Sequence, residues 1–289
     1  MSNMPKWGKV AAHLLMILFS LACLIPFLLV VAASFTDETA LVQNGFGLIP
    51  SKWSLEAYKY IFRSPGEVLA AYATTIFVTA FGTVVGTLIM SMIAYPISRS
   101  DYKYKNVLSF FVYFTMLFGG GMVASYILIV NFLHLNDTVW ALILPMLLSP
   151  WNIMLIRMSM RSIPFALIEA SYIEGAGEFW IFFRIIVPLA KVGIITVALF
   201  TALAFWNDWM QAMLYIDRSN LTTLQYMLYR VLNKVELAQQ ESVVVMQEQL
   251  PNENLRMALC VVAAGPMVFI FLFFQKYFSK GIVTGAVKG

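Results

Sequence analysis

Long runs without a charged side chain dominate the pattern of this 289-residue chain. Six such runs alternate with segments in which Asp, Glu, Lys and Arg are concentrated. Because an α-helix rises 1.5 Å per residue, about 20 apolar residues cross the hydrocarbon core of a bilayer. The pattern therefore predicts an all-α membrane protein with six transmembrane helices, in the runs Val10–Ser34, Val68–Ser98, Asn106–Asn136, Thr138–Ile156, Val192–Asn207 and Met257–Gln275.

Composition supports the membrane class. Hydrophobic residues make up 61% of the chain and charged residues 12%, whereas an average soluble domain has about 25% charged residues. The first run follows Lys6 and Lys9, as in a secretory signal peptide, but it is longer than the roughly 7–15 apolar residues of such a signal. We therefore predict an uncleaved span. The fifth run is short and crosses the bilayer only if Lys191 snorkels or Asp208 lies partly inside.

The charges between the runs predict the orientation. Six spans place both termini on one side, and the segments on that side carry more basic than acidic residues. The positive-inside rule then predicts that both termini are cytoplasmic. Two large segments, Asp37–Glu67 and Asp208–Arg256, would lie outside, and Leu221–Leu250 within the second is predicted to be helical and polar.

The residues that usually form metal sites, disulfides or nucleic-acid surfaces are scattered in this sequence. Cys23 and Cys260 each lie inside an apolar run, where an isolated Cys packs as a small hydrophobe. His13 and His134 have no second ligand at metal-binding spacing, so we predict no metal site. The net charge of +4 comes from basic residues at the ends of the runs, which fits membrane topology rather than nucleic-acid binding.

The inner segment Arg157–Lys191 has the most informative pattern. It predicts two short helices with a hinge between them, because Pro164 can begin the first helix and Gly175 can take the positive φ that ends it. An aromatic run follows the hinge before Pro188, and it consists of Phe179, Trp180, Phe182 and Phe183. An amphipathic segment lying on the lipid surface is the alternative for this aromatic run. That alternative does not explain the spacing of the Glu-Ala pair, the glycine and the proline.

That spacing resembles the EAA motif of permease subunits of ABC importers. The matching positions are Glu169, Ala170, Gly175, Ala176, Phe182, Arg184, Pro188 and Leu189. The family usually has a second alanine where this chain has Ser171, and its usual acid before the glycine is present as Glu174. In that family the two short helices sit in a cleft of a cytoplasmic ATPase, so residues 157–191 are named here the coupling loop.

Other segments resemble the carbohydrate permeases of the maltose-permease G type. These are FGLIPSKWSLEAYKYIF near the start and QKYFSKGIVTGAVKG at the end. The stretches FGGGMVASYILIV and LILPMLLSPWNIMLIR resemble the subgroup that takes up oligosaccharides of acidic polysaccharides. The resemblance implies a type I ABC importer permease fold. It divides the chain into a first helix with an outer segment (1–67), a transmembrane core that carries the coupling loop (68–278) and a cytoplasmic tail (279–289).

The resemblance also implies partners. The chain has no G-x-x-x-x-G-K-[ST] phosphate loop, so hydrolysis would come from separate ATPase subunits that bind ATP and Mg²⁺. The expected assembly contains two ATPase copies, a second permease in a heterodimer and an extracytoplasmic sugar-binding protein, in the lipid of a bacterial cytoplasmic membrane. No nucleic acid and no cofactor of this chain is expected. The implied mechanism is alternating access, with ATP binding favouring an outward-open state.

Two groups of residues combine aromatic faces with polar side chains, as sugar sites do. The first is Trp206, Asn207, Asp208 and Trp209, and the second is Trp151 and Asn152 with Tyr126. The first group has the alternative of an aromatic interface belt, with a span that simply ends at Asn207. In the second, Trp151 and Asn152 have the alternative of satisfying backbone groups loosened by Pro150.

Two other classes of function compete with the importer. An ion-driven secondary transporter predicts inverted repeats and interrupted helices, neither of which is evident in the sequence. A membrane-embedded glycosyltransferase predicts paired acids or a metal motif at one face, and the glutamates of the inner face belong to the coupling loop. Gly82 and Gly86 form a GxxxG pair that permits close helix packing.

Overall fold

The computed structural model describes residues 6–63, 65–240 and 253–286, and this part of the chain is mainly helical. The single bridge Thr36–Trp53 is the extended pairing found in it. In chain order the helices are α1 (Lys6–Ser34), α2 (Glu38–Asn44), α3 (Glu56–Ile61), α4 (Pro65–Ser98), α5 (Lys105–Leu117), α6 (Gly121–Ile127), α7 (Val139–Ile143), α8 (Pro150–Arg161), α9 (Phe165–Ile173), α10 (Glu178–Ile181), α11 (Val187–Leu189), α12 (Lys191–Trp206), α13 (Met210–Tyr215), α14 (Leu224–Gln240) and α15 (Glu253–Ala286).

Three of these helices contain a continuous apolar stretch long enough to cross a membrane. The stretches are Val10–Ser34 in α1, Pro65–Ser98 in α4 and Glu253–Leu272 in α15. The corresponding predicted runs began at Val10, Val68 and Met257, so the charge pattern located all three. The predicted helix in the second outer segment is present as α14, and residues 241–252 lie outside the described part.

Two of the other three predicted spans are bent pairs of helices, and the fifth, Val192–Asn207, is the single helix α12, which is bent against the coupling-loop helices before it. The helices that meet at these bends are Lys105–Leu117 with Gly121–Phe132, bent by 108°, Val139–Met146 with Pro150–Arg161, bent by 53°, and Glu178–Leu189 with Lys191–Trp206, bent by 82°. The first break contains a run of glycines that ends at Gly121, which has φ 77°, and Pro150 begins the helix after the second break. The length of a charge-free run indicates how long an apolar segment is, but it does not indicate whether the helix bends within that segment. The bends within the third and fourth runs were therefore not predicted.

Contacts divide the chain into two compact units, and the first comprises residues 1–68 and 228–266. In this unit the Glu38 carboxylate accepts hydrogen bonds from the backbone N–H groups of Glu253 (3.1 Å) and Asn254 (3.0 Å). The Asn254 amide in turn donates to the carbonyl of Thr36 (3.2 Å). An acid at a helix N-terminus satisfies free N–H groups and complements the helix dipole. The outer segment after α1 therefore caps the beginning of α15.

The second unit comprises residues 69–227 and 267–289 and contains the largest buried cluster of the described residues. Met90 and Ile97 of α4 pack in this cluster with Ile153 and Ile156 of α8. The same cluster includes four side chains from the two short helices of the coupling loop and the segment after them, namely Ile168, Ile181, Phe182 and Ile186. The inner face of the loop is therefore continuous with the core of the spans that precede and follow it.

Glycines allow very close approaches between helices of the second unit. A Cβ atom on Gly82 would lie 2.5 Å from ring carbons of Phe205, and one on Gly86 would lie 2.6 Å from the carbonyl oxygen of Leu147. A Cβ on Gly193 of α12 would lie 1.9 Å from the Ser159 hydroxyl of α8. The close packing that the GxxxG pair permits is confirmed, and Gly193 extends it to α8 and α12.

The first helix has a different environment. Its apolar stretch is hardly covered by the rest of the chain, and large side chains such as Leu18 and Phe19 are exposed. Only its last residues, Ala32, Ala33 and Ser34, are buried.

Candidate functional site

The coupling loop folds as the two short helices that the sequence predicts. Helix α9 ends at Ile173, and Gly175 follows it with φ 82°. The N–H of Gly175 donates to the carbonyl of Tyr172 (2.9 Å), and the N–H of Ala176 donates to the carbonyl of Ser171 (2.9 Å). This pair of bonds with a left-handed glycine is a Schellman motif. The predicted positive φ at Gly175 is confirmed.

The predicted motif residues occupy both faces of this loop. Ser171 and Phe182 are buried, and the Ser171 hydroxyl donates to the carbonyl of Leu167 (2.7 Å). Ala176 is half-buried, while the exposed members of the motif are Glu169, Ala170, Glu174, Gly175, Arg184 and Pro188. The buried motif residues therefore hold the loop against the core, and most of the other motif residues are exposed on its outer face.

The exposed face of the loop carries large apolar side chains. Ile173 is 88% exposed and Phe179 71% exposed, and Trp180 is also exposed beside them. Large exposed apolar side chains next to exposed acids are typical of surfaces that bind another protein or the membrane surface. The aromatic run is thus split, since Phe182 faces the core and Phe179 faces outward.

A polar cluster joins this loop to the end of α4. Arg99 is 7% exposed, and its Nη1 donates to Glu178 Oε2 (2.8 Å), to Tyr172 Oη (2.6 Å) and to Tyr95 Oη (3.0 Å). Its Nε donates to Asp101 Oδ1 (2.8 Å), and its Nη2 pairs with the other carboxylate oxygen. Tyr95, Arg99, Asp101, Tyr172 and Glu178 are named here the Arg99 cluster.

The hydroxyl groups of the cluster complete its hydrogen bonding. Tyr95 Oη donates to Glu178 Oε2 (2.8 Å), and the Tyr172 hydroxyl donates to Glu178 Oε1. The guanidinium also lies over the rings of Tyr172 (5.3 Å) and Tyr95 (5.6 Å). Stacking, a bidentate pair and several acceptors together suit Arg and not Lys.

The charges of the cluster reinforce one another. The hydrogen bond from Arg99 holds the pKa of the Asp101 carboxyl below its usual range, and the Asp101 bond raises the already high pKa of Arg99. Burial, followed by the hydrogen bond to Glu178, raises the pKa of Tyr172. All three groups therefore keep their ordinary charge states at neutral pH.

The sequence analysis did not single out Arg99, Tyr95 or Tyr172. Tyr95 and Arg99 are four residues apart at the end of a long apolar helix, which places them on one helix face. Their partner Glu178 lies 79 residues after Arg99, and no local pattern links such distant positions. From the sequence, Glu178 could be identified only as one of the glutamates of the coupling loop.

The first candidate sugar group does not form one open surface. Trp206 is buried, and the Asn207 amide oxygen accepts a hydrogen bond from the Gln225 side chain (3.5 Å). The Asp208 carboxylate accepts from the backbone N–H of Gln211 (3.2 Å), next to the start of α13. Trp209 follows directly and precedes that helix. The polar members of the group thus have partners within the fold.

The second candidate group is spread over separate helices. Trp151 is 58% exposed at the start of α8, whereas its neighbour Asn152 is buried and donates to Thr201 of α12 (3.3 Å). Tyr126 of α6 is exposed on one side and stacks on Tyr215, with the ring centroids 5.9 Å apart. Trp151 and Tyr126 therefore offer open ring faces, and Asn152 links two helices.

The class of the protein follows from the family to which it belongs. Residues 86–284 match the family of binding-protein-dependent transport system inner membrane components, and the chain belongs to that family. It is therefore a multi-pass membrane permease of an ABC importer, a transport subunit rather than an enzyme, that works with an ATPase and a substrate-binding protein.

Individual relatives are similar over nearly the whole length. Protein LplC of Bacillus subtilis is 38% identical over 266 residues, which cover 92% of this chain and 90% of LplC. The polygalacturonan/rhamnogalacturonan transport system permease YtcP of the same organism is 38% identical over 275 residues, 95% of this chain and 96% of YtcP. A solved bacterial ABC transporter that imports the acidic polysaccharide alginate contains a chain with a TM-score of 0.79 and 27% identity, covering 94% of this chain and 96% of that one.

Proposed function

We propose that this chain is a permease subunit that imports oligosaccharides of acidic, uronate-containing polysaccharides by alternating access. The structure of the coupling loop is the observation that best supports a role together with an ATPase. Its two helices are fixed to the spans on one face and expose Ile173, Phe179 and Trp180 on the other. The substrate class is supported by two similar proteins, whose names specify polygalacturonan or rhamnogalacturonan and alginate.

The proposed assembly follows the type I importer arrangement. The three long helices, the first two bent pairs and α12 would form six spans, with both termini in the cytoplasm and the coupling loop on the same side. A second permease would complete a heterodimer in the cytoplasmic membrane. Two ATPase subunits would bind ATP and Mg²⁺, and their closure on ATP would push the coupling loops and favour the outward-open state.

The sugar path is proposed to use the open ring faces. Trp151 and Tyr126 have exposed rings that can stack on a sugar, whereas Trp206 is buried against the fold. Asn207, Asp208 and Trp209 are proposed to border the path, and Asn152 to hold α8 and α12 beside it. The Asp208 carboxylate would repel the carboxylate of a uronate bound beside it, so the uronate group is proposed to bind away from this residue.

The test is uptake by the reconstituted importer. The chain would be assembled in proteoliposomes with the second permease, the ATPase and the binding protein encoded beside it, and supplied with ATP inside. We expect uptake of labelled oligogalacturonate, with unlabelled oligogalacturonate competing and neutral maltotriose failing to compete. Uptake of maltotriose with no uptake of oligogalacturonate would overturn the acidic substrate, and no ATP-dependent uptake of any oligosaccharide would overturn the importer.

A further inference from the structure

The Arg99 cluster connects four separate parts of the chain through one guanidinium. Arg99 follows the last residue of α4, Asp101 lies in the turn before α5, Tyr172 lies near the end of α9, and Glu178 begins α10. Five N–H groups of a planar fork can serve several acceptors in fixed directions. The end of α4 is therefore bound to both helices of the coupling loop at once.

The cluster also sets the angle between the two loop helices. Tyr172 and Glu178 lie on opposite sides of the glycine hinge, and their side chains are hydrogen-bonded to each other as well as to Arg99. Without these bonds, Gly175 and Gly177 have no atom within 4 Å of a Cβ position to restrict the turn. The cluster therefore restrains the hinge in addition to the Schellman bonds and the buried side chains of both loop helices.

Energetics favour a rigid junction. Arg99 is almost fully buried while its acids Asp101 and Glu178 are partly exposed. A displacement that separated Glu178 and Tyr172 from Arg99 would break several charge-assisted hydrogen bonds of a nearly buried guanidinium, which would keep only its pair with Asp101 and its bond to Tyr95. We therefore expect the loop and the end of α4 to move as one body.

Toward its middle, α4 packs closely against other helices of the second unit. Gly86 lies so close to the carbonyl oxygen of Leu147 that a Cβ atom would be 2.6 Å from it, and Gly82 lies equally close to the Phe205 ring of α12. Tightly packed elements transmit displacement because protein interiors have few voids to absorb it. A movement of α4 would therefore reach α12 and the segment before α8.

We propose that Arg99 is a positioning residue that delivers displacement of the coupling loop to α4. The proposal rests on the proposed function, in which an ATPase moves the loop. It assigns α4, and not only the spans directly joined to the loop, as the first receiver of that movement. Loss of Arg99 should leave an assembled importer that hydrolyses ATP without linking hydrolysis to transport.

The first experiment measures coupling in the reconstituted importer. We expect Arg99→Met to assemble and to keep basal ATP hydrolysis. The stimulation of hydrolysis by the loaded binding protein should fall roughly tenfold, which is within the usual range of coupling between distant sites. Arg99→Lys should restore part of the stimulation, since it keeps the charge and loses the fork. Lys103→Met removes an equal charge from the same turn and should behave as wild type.

A milder variant guards against misfolding. Tyr172→Phe removes one hydroxyl from an exposed helix end, so the fold should be retained while Arg99 and Glu178 lose a shared partner. We expect a smaller fall in stimulation than for Arg99→Met, and no additional fall when the two substitutions are combined. Full stimulation in both single variants would overturn the proposal.

The second experiment does not depend on transport. Spin labels on cysteines placed at Ser100 and Ala166, both exposed, report the distance between the end of α4 and α9 in the full chain, after Cys23 and Cys260 are replaced by Ser. We expect a narrow distance distribution in wild type, a broad one in Arg99→Met and an intermediate one in Arg99→Lys. An unchanged distribution in Arg99→Met would overturn the junction. If instead the wild-type importer shows no stimulation, the proposed function fails, and the distance measurement still decides the junction.

Discussion

Gly175 is the residue on which the shape of the coupling loop depends most directly. It has φ 82°, and no atom lies within 4 Å of the position that a Cβ would take. A β-branched side chain would therefore be opposed by backbone strain of about 1–3 kcal/mol and not by a clash. We expect Gly175→Val to lower uptake steeply, either by weakening assembly with the ATPase or by separating hydrolysis from transport. Vesicle uptake, ATPase activity and a pull-down of the complex measure this.

The neighbouring glycine provides the control. Gly177 has φ −79° in an extended conformation that valine accepts, and it too has open space around it. Gly177→Val should therefore retain most uptake. Glu169→Lys, which reverses an exposed charge of the motif, should impair assembly. Wild-type uptake and assembly in both Gly175→Val and Glu169→Lys would mean that this loop is not the coupling element.

Asp137 connects two loops through hydrogen bonds to its carboxylate. Its carboxylate accepts hydrogen bonds from the N–H groups of Asp217 (2.7 Å) and Arg218 (3.0 Å), which lower the pKa of this carboxyl. A lowered pKa in the folded state contributes stability above the unfolded value of about 3.9, and this contribution is lost as pH falls through the folded value. We expect wild type to melt above Asp137→Asn at pH 7, with the difference disappearing below about pH 3.9.

Thermal melting of the detergent-solubilised chain between pH 3 and pH 7 checks this. Asparagine tolerates the positive φ of 54° at this position, so the comparison isolates the charge. A melting difference that is the same at both ends of the pH range would contradict the assignment.

At the scale of elements, the contact of α4 with the segment before α8 brings a glycine directly against backbone. A Cβ on Gly86 would meet the backbone carbonyl of Leu147, which cannot rotate away, whereas one on Gly82 would meet only the Phe205 side chain. Overpacking of this kind costs about 1–3 kcal/mol. We expect Gly86→Ala to lower the melting temperature of the purified chain, and Gly82→Ala to do so less.

Gly66 gives a matched control in the same helix, since nothing lies within 4 Å of its Cβ position. Alanine favours a helix over glycine by up to about 1 kcal/mol, so Gly66→Ala should be neutral or stabilising. Equal destabilisation by Gly66→Ala and Gly86→Ala would indicate a general effect of glycine in α4 and not the carbonyl contact.

The elements also mark the limit of what the sequence could predict. Helices α1, α4 and α15 were found because absence of charge over a long run is a local property. The Gly175 turn was found because positive φ has a local residue preference. The bends before Gly121 and Pro150 were missed because the same residues are also tolerated inside straight transmembrane helices. The Arg99 cluster was missed because it depends on packing between distant segments.

At the scale of the whole molecule, the proposed topology makes a direct prediction. Single cysteines at Gly175 and Ser219, in a chain whose Cys23 and Cys260 are replaced by Ser, should react from opposite sides. A membrane-impermeant thiol reagent should label Ser219→Cys in sealed cells and label Gly175→Cys only after the membrane is opened. Labelling of Gly175→Cys in sealed cells would contradict the six-span arrangement.

The exposed surface of α1 has a consequence for how the chain enters the membrane. Little of this helix packs on the rest of the chain before Ala32, so the translocon and the lipid decide its insertion, and side-chain packing contributes little. Leu18→Phe should accordingly be tolerated, whereas Leu18→Arg should lose about 2.5–3.5 kcal/mol of insertion free energy, measurable in a microsomal insertion assay. We therefore expect α1 to insert into the membrane independently, before the bent helices that follow it pack together.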